Sequence, residues 1–183
     1  TGVVLNHSLA TYWQRGERFK RLALYLAAIG AHQKEEPLPR AADICKSDLV
    51  TGVLKECPSF QVVMGREYAR LDSEAQEVAE AVMEHYMTVR AGGELPASTI
   101  GALLSVADKL DTICGCFAVG PIPSGAADPF ALRRGCLGTT HTSLGRGLNE
   151  PREPLTGQGL GSRSAGVKRP PKTTKGCALS TFR

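Results

Sequence analysis

Residues 98–134 read STIGALLSVADKLDTICGCFAVGPIPSGAADPFALRR, and this stretch decides the fold class. From Ser98 to about Val119 the apolar residues Ile100, Leu103, Leu104, Ala107, Cys114, Phe117 and Ala118 recur at helical spacing, so a long helix is expected. GPIPSG, residues 120–125, must end it, because two prolines and two glycines cannot continue a helix. Asp128-Pro129 then restarts one, with Asp as N-cap and Pro at the first helical position, and PFALRRGCL carries it to near Gly138. On the long helix Asp111 falls near the centre of the apolar stripe and Asp108 at its edge. A carboxylate aimed at the core requires a cation, a hydrogen-bond network, a metal or a proton.

Upstream the pattern stays helical. ERFKRLALYLAAIGA, residues 17–31, places Phe19, Leu22, Ala23, Leu26 and Ile29 on one face and assigns Arg18, Lys20 and Arg21 to the other. HQKEEPLPR is a connector, since its prolines disfavour helix before them. A second helix is expected from Ala41 to about Lys55, and a third opening at Pro58-Ser59 and carrying FQVVMGREYAR. A fourth, EAQEVAEAVMEHYMTV, is capped by Asp72-Ser73. The fold class is therefore all-α, a helical bundle. From Thr139 the pattern of apolar residues lapses into Gly, Pro, Ser, Thr, Arg and Lys, and residues 139–183 are expected to be a disordered tail.

The 183 residues suffice for one domain with extensions. The net charge of +4 is unevenly placed: residues 139–183 hold 8 Lys/Arg against 2 Asp/Glu, and the remainder is slightly acidic. Whole-chain basicity thus locates no nucleic-acid surface. No apolar run is long enough to span a bilayer, and TGVVLNHSLATYW has neither the basic nor the apolar part of a secretory leader, so a soluble, cytoplasmic protein is expected. Six scattered cysteines, 45, 57, 114, 116, 136 and 177, suit reduced thiols. Cys114 and Cys116 stand two apart on a helix, face different ways, and make a poor metal pair.

The helical wheel also turns His85 inward beside Val78 and Val82, and Asp48 inward between Ile44 and Cys45. Inward His and carboxylates from different helices resemble the layout of an HD-type metal phosphohydrolase. There an adjacent His-Asp dyad, a further His and a last Asp hold the metal, but here the dyad position is Ser47-Asp48. Asp48, His85, Asp108 and Asp111 are then a buried network that fixes helix packing, a vestigial ion site or a metallophosphohydrolase centre. The first reading is favoured, with no metal held. No phosphate-loop GxxxxGK[ST], GxSxG elbow or HExxH motif is present. Arg66, Lys109 on the polar face of the long helix, and the pair Arg133-Arg134 are candidate RNA-phosphate contacts. Arg133 or Arg134 is also a candidate partner for Asp111 or Asp108 across the GPIPSG turn.

Ala107–Arg134 follows the pattern ADKxDTxxGxFxxGxxPxGxxDPFALRR, and with SDLVT (47–51), VMGREYA (63–69) and EHY (84–86) it resembles the bacterial-type glycyl-tRNA synthetase beta subunit. The resemblance runs from about Val3 to Gly138. It implies an N-terminal segment over residues 1–20, an HD-like helical domain over 21–138 and an unrelated basic tail over 139–183, as a frameshift or truncated gene would produce. It further implies a tRNA-binding subunit joined to a separate alpha subunit, with ATP (with Mg), glycine and glycine-specific tRNA as substrates of the assembly. The chain alone would hold no cofactor and catalyse nothing, since class II synthetase chemistry needs an antiparallel sheet with an ATP-holding arginine.

Overall fold

The computed structural model describes residues 4–6, 10–30, 36–87, 93–119, 128 and 130–148. Two very short antiparallel strands, β1 (Val4–Asn6) and β2 (Ala10–Thr11), precede helix α1 (Tyr12–Gly30). Six helices follow: α2 (Leu38–Ile44), α3 (Gly52–Glu56), α4 (Val63–Leu71), α5 (Gln76–Glu84), α6 (Thr99–Val119) and α7 (Leu132–Gly145). Single 3-10 turns at Ser47–Val50 and Pro58–Phe60 link α2 to α3 and α3 to α4. The chain is all-α as its periodicity requires.

Helix α6 is the axis of the bundle, packing against α1, α2, α5 and α7. Every residue from Ile100 to Ala107 is buried, so the expected stripe widens to the whole circumference there. Phe19, Leu22, Ala23 and Leu26 of α1, Leu38, Ala41 and Ala42 of α2, and Val78, Ala81 and Val82 of α5 complete the main core with Leu103, Leu104 and Val106. A smaller cluster joins Cys116 and Ile113 to Leu132 of α7.

The start of α6 is held by another helix. Glu84, buried at the end of α5, accepts hydrogen bonds from the Ala97 N–H (3.1 Å), the Ser98 N–H (3.0 Å) and the Ser98 hydroxyl. The Ser98 hydroxyl oxygen in turn accepts the Gly101 N–H at 2.9 Å. These bonds satisfy donors that a helix N-terminus otherwise leaves open, and the carboxylate suits the positive end of its dipole. The approach is close enough to require Gly101, because a Cβ there would lie 2.6 Å from that of Glu84 and closer still to its carboxylate.

Several expected boundaries move. The single helix from Ala41 to Lys55 is instead α2, a 3-10 turn and α3. The break sits where the Thr51 hydroxyl donates to the Asp48 carbonyl at 2.7 Å, a local bond that competes with helix. Pro58 opens only a 3-10 turn, and α4 begins at Val63. Asp72 and Ser73 close α4 rather than cap α5: Asp72 is its C-cap, and Ser73 takes φ 59° in the left-handed region. Asp128 is not the N-cap of α7, which begins at Leu132 with Ala131 as N-cap, three residues later than expected, but its carboxylate still accepts the Leu132 and Arg133 N–H groups at 2.8 and 3.0 Å; Pro129 lies outside the described residues.

The largest correction concerns the end of the chain. Helix α7 does not stop near Gly138 but runs through TTHTSLG to Gly145, within the stretch expected to be disordered. Gly138 and Thr142 are buried against the bundle, and Leu148 enters the main core. Packing against α6 outweighs the weak helix propensity of Gly and Thr. Residues 149–183 lie outside the described residues.

Candidate functional site

The inward carboxylates of α6 are met by cations from earlier in the chain. Asp108 accepts from Arg15 Nη2 at 2.7 Å and from Lys46 Nζ at 2.9 Å. Asp111, 3% exposed, accepts from Arg18 Nε at 3.1 Å and lies 3.7 Å from Arg15 Nε. Thr112 binds in the same network, its hydroxyl donating to the Asp108 carbonyl at 2.9 Å and accepting from Arg15. Burial by itself would raise the Asp108 pKa, but the charges of Arg15 and Lys46 outweigh it and hold the carboxyl well below its ordinary range.

Arg18 therefore corrects the sequence reading, which assigned it to the outer face: it is buried. The wheel did contain the signal, because Arg15 and Arg18 share a face with Phe19, Leu22 and Leu26. The expected partnership of Arg133 or Arg134 with these aspartates is not formed, and both arginines are exposed on the first turn of α7. Lys46 and Tyr86 were also missed. Lys46 Nζ sits 4.2 Å from the centre of the Tyr86 ring, and the Tyr86 hydroxyl donates to Asp48 Oδ1 at 3.3 Å.

Asp48 and His85 are both almost wholly buried beside this network. The His85 Nδ1–H donates to the Val82 carbonyl at 2.6 Å, and the ring lies 3.9 Å from that of Tyr86. Burial, reinforced by Lys46, keeps the imidazole neutral by moving its pKa well below 6.5. Burial likewise raises Asp48. His85 Nε2 and Asp48 Oδ2 have no hydrogen-bond partner among the described residues.

A divalent metal does not fit this donor set. Asp108 and Asp111 are already bound to three cations, which a metal would have to displace, and no group of three metal-ligating side chains occurs among the described residues. What the arrangement does physically is dock α1 and the α2–α3 connection onto α6 through complementary buried charge.

The RNA candidates separate by their surroundings. Arg66 is partly buried and engaged by Glu67 at 2.9 Å, Glu80 at 3.7 Å and the Met83 sulfur. Lys109 is not on an open polar face: it is half-buried and donates to the Ser105 hydroxyl and to the Met87 carbonyl at 3.1 Å. Burial pushes its pKa down to about 8. Arg133 and Arg134 form no ion pair among the described residues. Among the described residues no helix is long and apolar enough to cross a membrane.

The glycyl-tRNA synthetase beta subunit family matches residues 1–163. The chain is 47% identical over 181 residues to the glycine–tRNA ligase beta subunit of Geobacter metallireducens, covering 99% of this chain and 26% of that protein. It is 48% identical over the same length to that of Geobacter sulfurreducens, again 99% and 26%, and 50% identical over 145 residues to that of Geotalea uraniireducens, 79% and 21%. The chain thus spans about a quarter of the length of these relatives. The similarity does not end at Gly138, which overturns the expectation of an unrelated tail from Thr139.

Proposed function

Since the chain belongs to the glycyl-tRNA synthetase beta subunit family, we propose that it forms a tRNA-contacting, scaffolding part of a glycine–tRNA ligase assembly. In this reading a separate alpha subunit carries the active site and uses ATP with Mg²⁺, glycine and glycine-specific tRNA, in the cytoplasm. Similarity along 181 residues is the observation that carries the reading. The bundle has an HD-like character, with Asp48, His85, Asp108 and Asp111 retained as a packing network in place of a metal centre.

Arg133 and Arg134 are the side chains best placed for RNA phosphate, being exposed and in no ion pair among the described residues. The test is affinity for glycine-specific tRNA as a function of salt. The unmodified chain is expected to bind with a steep negative slope, and Arg133→Ala with Arg134→Ala to flatten it by roughly one for each phosphate no longer neutralised. Unchanged slope and affinity would remove these residues from the interface. For the assembly, co-purification with the alpha subunit is expected, and glycyl-tRNA formation by the chain alone would contradict an active site elsewhere.

A further inference from the structure

The stretch from Val50 to Val63 leaves the bundle with apolar side chains turned outward. Neither α3 nor the 3-10 turn Pro58–Phe60 buries any residue. Val50, Val53, Phe60 and Val63 are 37–50% exposed, and none of them joins either apolar core. They stand on neighbouring elements, because the Ser47–Val50 turn touches both α3 and α4, and α3 touches the Pro58–Phe60 turn. Four of the nine large apolar side chains exposed among the described residues fall here, so this is a patch and not scattered exposure. Val62 turns the chain between Phe60 and Val63 with φ 85° and ψ −54°, a strained conformation for a β-branched residue. Strain of that kind concentrates at functional sites.

Charge selects the occupant. Lys55 and Glu56 are the only charged residues between Asp48 and Arg66. Both are exposed, and neither forms an ion pair among the described residues. Their signs are opposite, so the patch is neutral. An RNA backbone or a strongly charged protein surface would be attracted by one of them and repelled by the other. A second copy of the chain, turned by a two-fold axis, sets Lys55 against Glu56 of that copy and Glu56 against its Lys55, because a two-fold interface is self-complementary. The apolar side chains then cover one another, and both charges are answered.

We propose that the Val50–Val63 patch is a two-fold contact surface for a second copy of this chain, with Val53 and Phe60 at its centre and the Lys55–Glu56 pairs beside them. The surface is one short excursion from the bundle, smaller than a stable interface requires, so the dimer is weak and forms at chain concentrations of about 10–200 μM. The proposal goes beyond the tRNA-binding reading and uses none of its residues.

Sedimentation equilibrium of the full chain tests it. A monomer–dimer equilibrium is expected. Val53→Ser with Phe60→Ser, at exposed positions outside both cores, is expected to weaken it about tenfold or more while far-UV circular dichroism stays unchanged. Lys55→Glu gathers like charge at the axis and is expected to weaken the dimer about threefold or more, and adding Glu56→Lys to bring it back. A chain that stays monomeric throughout that range overturns the proposal, and so does a dimer indifferent to Val53 and Phe60. Failure of the exchanged charge pair to recover the dimer overturns the two-fold arrangement. If the monomeric chain instead needs Val53 and Phe60 to bind a glycine–tRNA ligase alpha subunit, or vesicles of phosphatidylcholine and phosphatidylglycerol, the surface belongs to that partner and the second copy is ruled out.

Discussion

Arg18 Nε donates to Asp111 Oδ1 at 3.1 Å across 93 residues of sequence, and both side chains are nearly excluded from solvent. This pair locks α1 to α6 at the centre of the bundle.

Removing one partner strands the other. Asp111→Leu is expected to destabilise the chain by about 3–5 kcal/mol, because Arg18 would stay buried without its counter-charge. Arg18→Met with Asp111→Leu should recover much of that stability, since a well-packed apolar pair avoids the desolvation of two ions. Urea unfolding midpoints check both variants. A double variant as weak as the single one would mean that the pair has no special role beyond its volume.

Acid should weaken the fold in two stages. The folded His85 pKa lies well below its ordinary 6.5, so the unfolded chain takes up the proton first and stability falls as pH drops below about 6.5. Asp108 is depressed below its ordinary 3.8, so its contribution is complete above that value and is lost as pH falls beneath it. Asp48, which is raised, acts in the opposite sense and loses its contribution as pH rises through its folded value. His85→Gln should remove the first stage and leave the second. Stability measured between pH 7.5 and 3 checks this, and an unchanged profile contradicts it.

Glu84 and Gly101 form a coupled pair at the start of α6. Glu84→Ala opens the Ala97 and Ser98 N–H groups, at a cost of about 1–3 kcal/mol. Gly101→Ala drives a methyl group into the Glu84 side chain, with a cost of about 1–3 kcal/mol. Together they should cost less than the sum, since truncating Glu84 makes room for the methyl. Strict additivity in a thermal-denaturation cycle would separate the two effects.

Truncation after Gly138 tests whether α7 belongs to the bundle. It removes buried Thr142 and the core packing of Leu148 and cuts the helix most extensively packed on α6. The shortened chain is expected to lose near-UV circular dichroism or to unfold at markedly lower urea. Leu148→Ala, a milder form of the same experiment, should cost about 2 kcal/mol or more. A truncated chain as stable as the full one would make the second half of α7 dispensable.

The long helix α6 was legible because its period is sustained over more than 20 residues, as its 21-residue length reflects. The inward carboxylates were legible for the same reason. The helix from Ala41 was misread because Thr51 satisfies the Asp48 carbonyl locally, a choice that periodicity does not record. The second half of α7 was missed because Gly and Thr make poor helix on their own, and its stability comes from α6. Arg15 and Arg18 stood on the apolar face of α1, but their charge argued for solvent until a carboxylate stood opposite.

By itself the sequence determined the helical class, the family, and the need of Asp108 and Asp111 for partners, because each follows from local spacing and residue type. Tertiary structure alone decided that the partners are Arg15, Arg18 and Lys46, that Lys109 turns partly inward, and that His85 Nε2 is buried without a partner among the described residues. The reason is physical: a helical period tells which way a side chain faces, whereas what it meets depends on how α1, α5 and α7 dock on α6. That docking brings together charges 62 to 93 residues apart.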